Sequence, residues 1–210
     1  MKFIYMLKVL TQKIGMTQYF DKEGNIKPST LVSVLPSKVI RNKNIEKDGY
    51  IASLVGTLPN KKISKPVNNF LKKNKIEEKF SKYFEIKNEE LGVGEIIDIN
   101  SFSVDDNIIA IGISKGKGFS GTIKRHNFTT GPKSHGSHNY RQPGSIGSAY
   151  PQRVVKGKKM PGRMGSDRIT VKGLKVNAVN KENGTMLISG AIPGPNKSYI
   201  YIIKLNDRSS

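Results

Sequence analysis

The chain has no cysteine and no tryptophan. Without a thiol there is no disulfide and no thiolate metal site, which suits a protein of the cytoplasm. Carboxylates are scarce: sixteen Asp and Glu stand against thirty-six Lys and Arg, a net charge of +20 over 210 residues. Arginine is scarce within the basic set, with seven residues: Arg41, Arg125, Arg141, Arg153, Arg163, Arg168 and Arg208. Long apolar runs are missing too; none approaches the ~18 residues that span a membrane. The opening Met1 to Lys8 has the look of a signal peptide, but its apolar part is short, Lys8 interrupts it, and no small-residue cleavage site follows. It is read as part of the protein, or as an unstructured extra of residues 1–5 before a start at Met6.

What is present is positive charge, and it is clustered. Residues 114–172 hold thirteen Lys and Arg and one acid, Asp167, while the other 151 residues hold twenty-three bases and fifteen acids. The same stretch carries ten glycines, four prolines and all three histidines. Such a segment buries too little apolar surface to offset its ordering entropy, so something polyanionic must hold it. Five of the seven arginines fall inside it. In a chain that otherwise uses lysine, those positions call for a planar fork onto phosphate or a base rather than a point charge. With a pI near 10, nucleic acid is the expected partner.

The rest of the chain, 36% hydrophobic as a whole, reads as β-structure around one core. Residues 7–20 form a strand, a turn at Gly15 and a second strand. Residues 21–25 make a hairpin turn, because Gly and Asn tolerate positive φ. Strands follow at 29–35, 38–41 and 50–57, rich in β-branched residues, with Pro36 ending the first and Asp48-Gly49 closing the turn before the last. Residues 59–82 change character: a lysine-rich excursion with a short helix opening at Lys65-Pro66. Strands resume at 83–86, 96–99 and 107–114. They stop for more than fifty residues and return at 169–180, 186–188 and 199–205. Many short strands with turns between them predict a closed, mainly all-β barrel. A loop of that length inside a small β domain is abnormal, hence functional or disordered. The division is therefore 1–113 with 169–210 as the barrel and 114–168 as a two-armed, mostly irregular insert. Each arm carries a Lys-Gly-Lys, at 115–117 and at 156–158.

Several blocks in this chain are similar to a known family. They are Gln12-Lys13-Ile14-Gly15-Met16-Thr17-Gln18-Tyr19-Phe20; Gly116-Lys117-Gly118-Phe119-Ser120-Gly121-Thr122-Ile123-Lys124-Arg125-His126; and Ser134-His135-Gly136-Ser137. Further on come Pro143-Gly144-Ser145-Ile146-Gly147, Lys156-Gly157-Lys158-Lys159-Met160-Pro161-Gly162-Arg163-Met164-Gly165 and Gly190-Ala191-Ile192-Pro193-Gly194-Pro195. In this order and over residues 7–205, the chain resembles the universal large-subunit ribosomal protein L-three family in its bacterial form. The resemblance implies a six-stranded barrel of the kind shared with translation factors. It also implies an extension that threads between ribosomal RNA helices toward the peptidyl transferase centre, a part in early large-subunit assembly, and no catalysis. Some relatives carry an N-methylated glutamine after the Gly-Ser-Ile-Gly; this chain has Ser148 there, and no such modification is expected. Residues 59–82 match the family poorly.

The residues expected to touch RNA are Lys115, Lys117, Lys124, Arg125, Arg141, Arg153, Lys156, Lys158, Lys159, Arg163 and Arg168, which fix position on phosphates. His126, His135, His138, Tyr140 and Ser145 join them as hydrogen-bonding or stacking groups. Gly116, Gly118, Gly144, Gly147, Gly157 and Gly162 allow close backbone approach. Residues 117–126 are expected to form a short helix in the RNA-bound state, with Phe119 and Ile123 on its inner face and Lys124-Arg125 outward, and Phe119 is read as a packing residue. The tip is expected at 140–148.

Other chemistries fit less well. The three histidines lack a cysteine or a neighbouring carboxylate set for metal, and the surrounding charge repels a cation. The glycines at 116–121 lack the P-loop pattern and its strand–loop–helix frame. No carboxylate pair or nucleophile–base pair supports an RNA-processing enzyme. No recognition helix or amphipathic helix supports a DNA or membrane module. The expected partners are large-subunit ribosomal RNA and neighbouring ribosomal proteins in the cytoplasm, with no cofactor, metal or small-molecule substrate.

Overall fold

A computed structural model describes residues 6–21, 23–87 and 91–205. The reading of residues 1–5 as an extra lies outside the described residues. The chain divides into two compact units, Met1–Ile113 with Arg168–Ser210, and Ser114–Asp167.

In the first unit the order is β1 (Met6–Phe20), β2 (Ile26–Val34), β3 (Ser37–Lys43), α1 (Ile45–Asp48), β4 (Ala52–Pro59), α2 (Lys65–Lys73), β5 (Phe80–Lys87), β6 (Ile96–Ile97) and β7 (Asn107–Ile113). The second unit holds β8 (Phe119–Ser120), α3 (Thr122–His126) and β9 (Gly162–Arg163). The first unit then resumes with β10 (Arg168–Asn180), β11 (Thr185–Ser189) and β12 (Tyr199–Leu205).

Six strands close into the expected barrel, in the order β1-β12-β7-β10-β11-β2. Closure leaves no unpaired edge. The pleat sends alternate residues inward, so Ile108 and Ala110, Ile200 and Ile202, Met186 and Ile188, and Val32 and Val34 are buried together. The strand–turn–strand reading of 7–20 needs correction. This stretch is the single strand β1, which runs through Gly15 with a bulge between Lys13 and Gly15 against β2. The bulge absorbs one extra residue, so β1 pairs β12 over its first half and β2 over its second. The first turn closes as a hairpin, with Gly24 at φ 81 and its amide donating to Asp21 O.

The strands at 37–59 and 80–97 are not barrel strands. They form a second antiparallel sheet, ordered β5-β4-β3-β6. Its Val39, Val55, Phe84, Ile86 and Ile97 join the same buried cluster as Val9 and Ile200 of the barrel. At this seam the Lys8 ammonium sits over the rings of Phe84 and Tyr201, 5.2 and 4.4 Å from their centroids. Burial, reinforced by repulsion from Arg168, holds its pKa below that of an ordinary lysine. The helix expected at Lys65-Pro66 forms as α2, whose Val67, Phe70 and Leu71 pack on Ile40, Ile76 and Phe80. Among the described residues no helix is long and apolar enough to cross a membrane.

One buried cation had no place in the sequence reading. Lys13 is 5% exposed, and its ammonium donates to Ile192 O at 2.9 Å and Gly194 O at 3.2 Å. Backbone bonds run alongside, from Lys13 N to Ser198 O and from Lys197 N to Lys13 O. Two sequence blocks nearly 180 residues apart are thus one structural site. The strands on either side of the second unit, β7 and β10, are hydrogen-bonded neighbours, with Ile113 opposite Arg168.

Candidate nucleic-acid interface

The second unit has almost no interior. Of residues 114–167 only Ser120 and Thr122 are buried, and both are polar. Its order comes instead from main-chain bonds between the two arms. Ser114 N donates to Asp167 O, Lys117 N to Met164 O, and Met164 N to Gly118 O, at 2.9, 2.9 and 3.0 Å. The ladder continues as β8 and β9, with Phe119 opposite Arg163 and Ser120 opposite Gly162. Lys117 lies across from Met164, so the two Lys-Gly-Lys segments do not face one another.

Beyond the ladder, Met160 O gathers two side chains. Arg125 Nη1 donates to it at 2.7 Å, and His126 Nε2 lies 3.0 Å away, a bond that requires the Nε2–H tautomer. The His126 and Phe128 rings lie 6.1 Å apart between centroids, tilted by 45°. Farther along, Gly131 N donates to Tyr140 O at 2.9 Å. The Tyr140 ring is half-buried between cations, with Lys133 Nζ at 5.5 Å and Arg141 Cζ at 5.7 Å from its centroid. Around the expected tip, residues 141–150 are all exposed, Gly144 has φ 74, and the Ser145 hydroxyl donates to Gly147 O.

The expected helix at 117–126 is shorter than its sequence suggested. Residues 119–120 are strand, and α3 begins at Thr122 and stops at Asn127, which is left-handed at φ 57. Phe119 therefore does not share a helix face with Ile123. It is 81% exposed, a correction to its reading as a packing residue. Thr122 takes the buried place instead, because the strand turns Phe119 outward before the helix starts.

The expected cations keep to the surface. Lys115, Lys117, Lys124, Arg125, Arg141, Arg153, Lys156, Lys158, Lys159, Arg163 and Arg168 are all exposed, as are His135, His138 and Ser145. Among the described residues no ion pair lies within 114–167, and Asp167 is its one carboxylate. Among the described residues no group of three or more His, Cys, Asp or Glu could hold a metal ion.

The glycines separate into two kinds. Gly118, Gly144 and Gly157 have positive φ with open space where a Cβ would point, and Gly147 is equally open. At Gly116 and Gly162 the close neighbour is the chain itself. A Cβ would stand 2.9 Å from Ser166 Oγ at the first and 2.7 Å from Arg125 Nη1 at the second. Gly165, which the sequence reading gave no role, is the tightest: at φ +78 its Cβ would fall 2.2 Å from Lys115 O. Composition could have pointed to it only through its place in the Met-Gly-Ser that faces the outgoing arm.

The unit therefore presents a row of uncompensated cations on a backbone scaffold that is bonded at its base and open beyond. The family model described as Ribosomal protein L3 matches residues 78–191, just over half of the chain. A large ribosomal subunit protein uL3 of Shouchella clausii (strain KSM-K16) is 42% identical over 196 residues, covering 92% of this chain and 95% of that protein. Proteins of the same name from Natranaerobius thermophilus and Phytoplasma mali (strain AT) are each 43% identical, over 93% and 92% of this chain and 95% and 92% of their own. The relatives match over nearly the whole chain, and it belongs to the Ribosomal protein L3 family, whose members are structural components of the ribosome and not enzymes.

Proposed function

We propose that this protein is a structural constituent of the large ribosomal subunit, working in the cytoplasm as part of the ribosome. It binds ribosomal RNA directly through residues 114–168, helps nucleate folding of that RNA during assembly, and sends its basic extension toward the peptidyl transferase centre. The observation that carries this reading is the second unit itself: eleven Lys and Arg against one carboxylate, with two buried residues and no apolar core. Self-repulsion of that size in a core-free segment is relieved by phosphates, which also supply the contacts the interior lacks. The names of the relatives point to the large subunit as the place where such phosphates are met. The further partners are neighbouring proteins of the same subunit.

Deletion of residues 120–165 tests this. The remaining barrel is expected to fold, because its strands and core lie outside the deleted segment, but to fail to join large ribosomal particles on sedimentation. Affinity of the intact chain for large-subunit RNA should fall by ~10³-fold or more between 50 and 200 mM salt, as for six to ten phosphate contacts. Normal incorporation of the deletion variant, or a shallow salt slope, refutes the proposal.

A further inference from the structure

The exposed ring of Phe119 is the least expected feature of the extension. It faces a cavity of about 320 Å³ in the second unit, walled also by Thr122, Lys124, Thr130 and Arg141. That is the low end of small-ligand pockets, which run from roughly 300 to 1,000 Å³. We propose that this cavity holds one unpaired nucleotide of the ribosomal RNA, with its base stacked on Phe119 and its phosphate taken by Lys124 and Arg141. The inference rests on the proposed RNA-binding function and adds the kind of nucleotide and the residues that receive it.

Three observations converge. A phenyl ring 81% exposed in a segment this rich in charge has no partner of its own; a flat apolar face is what a splayed base stacks on. The cavity's charged groups are both cations, with no carboxylate on its wall, so it selects an anion rather than a cation or a basic peptide. Thr122 is 2% exposed, and its hydroxyl has no hydrogen-bond partner. A buried hydroxyl left unmatched is costly, so the cavity's wall carries a polar group that the chain itself does not satisfy. Paired RNA offers only its edges and backbone, whereas a ring-sized cavity over an aromatic face fits a base that has left its stack.

The test uses the full chain, large-subunit RNA of its own cells, and two variants at an exposed position where folding is not at stake. Phe119→Leu keeps apolar bulk without a π face; Phe119→Tyr keeps the face. Affinity is read by filter binding at fixed salt, and the RNA by chemical probing of base edges. Wild type and Phe119→Tyr should bind alike and protect one unpaired nucleotide. Phe119→Leu should bind on the order of tenfold more weakly and leave that nucleotide reactive. The inference is overturned if Phe119→Leu matches wild type, if both variants weaken equally, or if the protected base is paired. In each of those cases wild-type binding still supports the RNA-binding function. Only a wild-type chain that fails to bind the RNA selectively removes both.

Discussion

Gly165→Ala is the sharpest perturbation of the extension. The backbone there has φ +78, and a methyl group would lie 2.2 Å from Lys115 O and 3.1 Å from Gly116 Cα. Left-handed backbone costs an L-residue roughly 1–2 kcal/mol. The carbonyl contact cannot be absorbed by a side chain, so the arms must part. Parting them breaks the bonds from Lys117 N to Met164 O and from Met164 N to Gly118 O, at 2.9 and 3.0 Å. At about 1 kcal/mol net for each bond, the total comes to ~3–4 kcal/mol. With only Ser120 and Thr122 buried, the unit has no core to oppose that cost. Amide exchange at Lys117 and Met164 in the free protein should therefore accelerate on the order of a hundredfold or more. The urea midpoint of the barrel should not move. RNA affinity should fall by up to the same factor, because binding must re-form the pairing first. Gly147→Ala is the control for the ladder: its Cβ meets nothing within 4 Å of the chain, so amide exchange at Lys117 and Met164 should stay at wild-type values. Wild-type exchange in Gly165→Ala, or equal effects of the two substitutions, would refute the assignment of order in the extension to its main-chain ladder.

Three further outcomes concern the barrel unit. Lys13→Met leaves the carbonyls of Ile192 and Gly194 without their ammonium donor and should lower stability by about 1–3 kcal/mol in urea unfolding; an unchanged midpoint would mean the buried charge costs as much as its bonds return. Gly56→Ala places a methyl 2.6 Å from the Phe80 ring and 2.8 Å from Ile40 Cδ1, an overpacking expected to cost about 1–3 kcal/mol by the same assay. Glu85 is held below the usual carboxylate range first by its hydrogen bond from Lys43 and then by that from Tyr50, against the opposing effect of burial. Its folded pKa lies below the unfolded one, so its contribution is present at neutral pH and is lost as pH falls through the folded pKa. Glu85→Gln should thus be less stable than wild type at neutral pH, with the gap closing in acid; a gap independent of pH would rule this out.

The parts legible in the sequence are those where one physical rule acts alone. Near-continuous apolar runs at 107–113 and 199–205 mark strands, and once they are in the barrel alternate residues of each, such as Ile108 and Ala110 or Ile200 and Ile202, turn inward. The basic insert is legible because it breaks that rule for more than fifty residues while collecting charge. Assignment of strands to sheets is not legible. β3, β4 and β5 read as short strands just as the barrel strands do, and only their partners set them apart. The bulge at Gly15 looked like a turn because a glycine signals either, and the choice depends on a neighbour far away in sequence. Lys13 looked like one more surface lysine until the carbonyls of 192 and 194 came to it. Phe119 was misplaced for a related reason: an i, i+4 pattern predicts a shared face only if the helix exists, and pairing with Arg163 claims residue 119 for a strand.

Glycine is what allows both halves of the extension to work. At its base the arms must lie close enough for main-chain bonding: a Cβ at Gly165 would meet the main chain of the opposite arm, and one at Gly116 or Gly162 would crowd the side chains of Ser166 or Arg125. Farther out, Gly144 and Gly157 leave open space, and the cations of the unit are unpaired by any acid of the unit. The ladder fixes where the extension starts, and the uncompensated charge leaves the rest to be set by whatever supplies phosphates. A segment stabilised by its own apolar core would keep one shape and could not conform to folded RNA. A segment without the ladder would pay its full ordering cost on binding. Substitutions at the base should therefore act as losses of preorganisation, uniform across RNA sites. Substitutions of single cations should remove individual phosphate contacts, each lowering the salt dependence by about one phosphate's share.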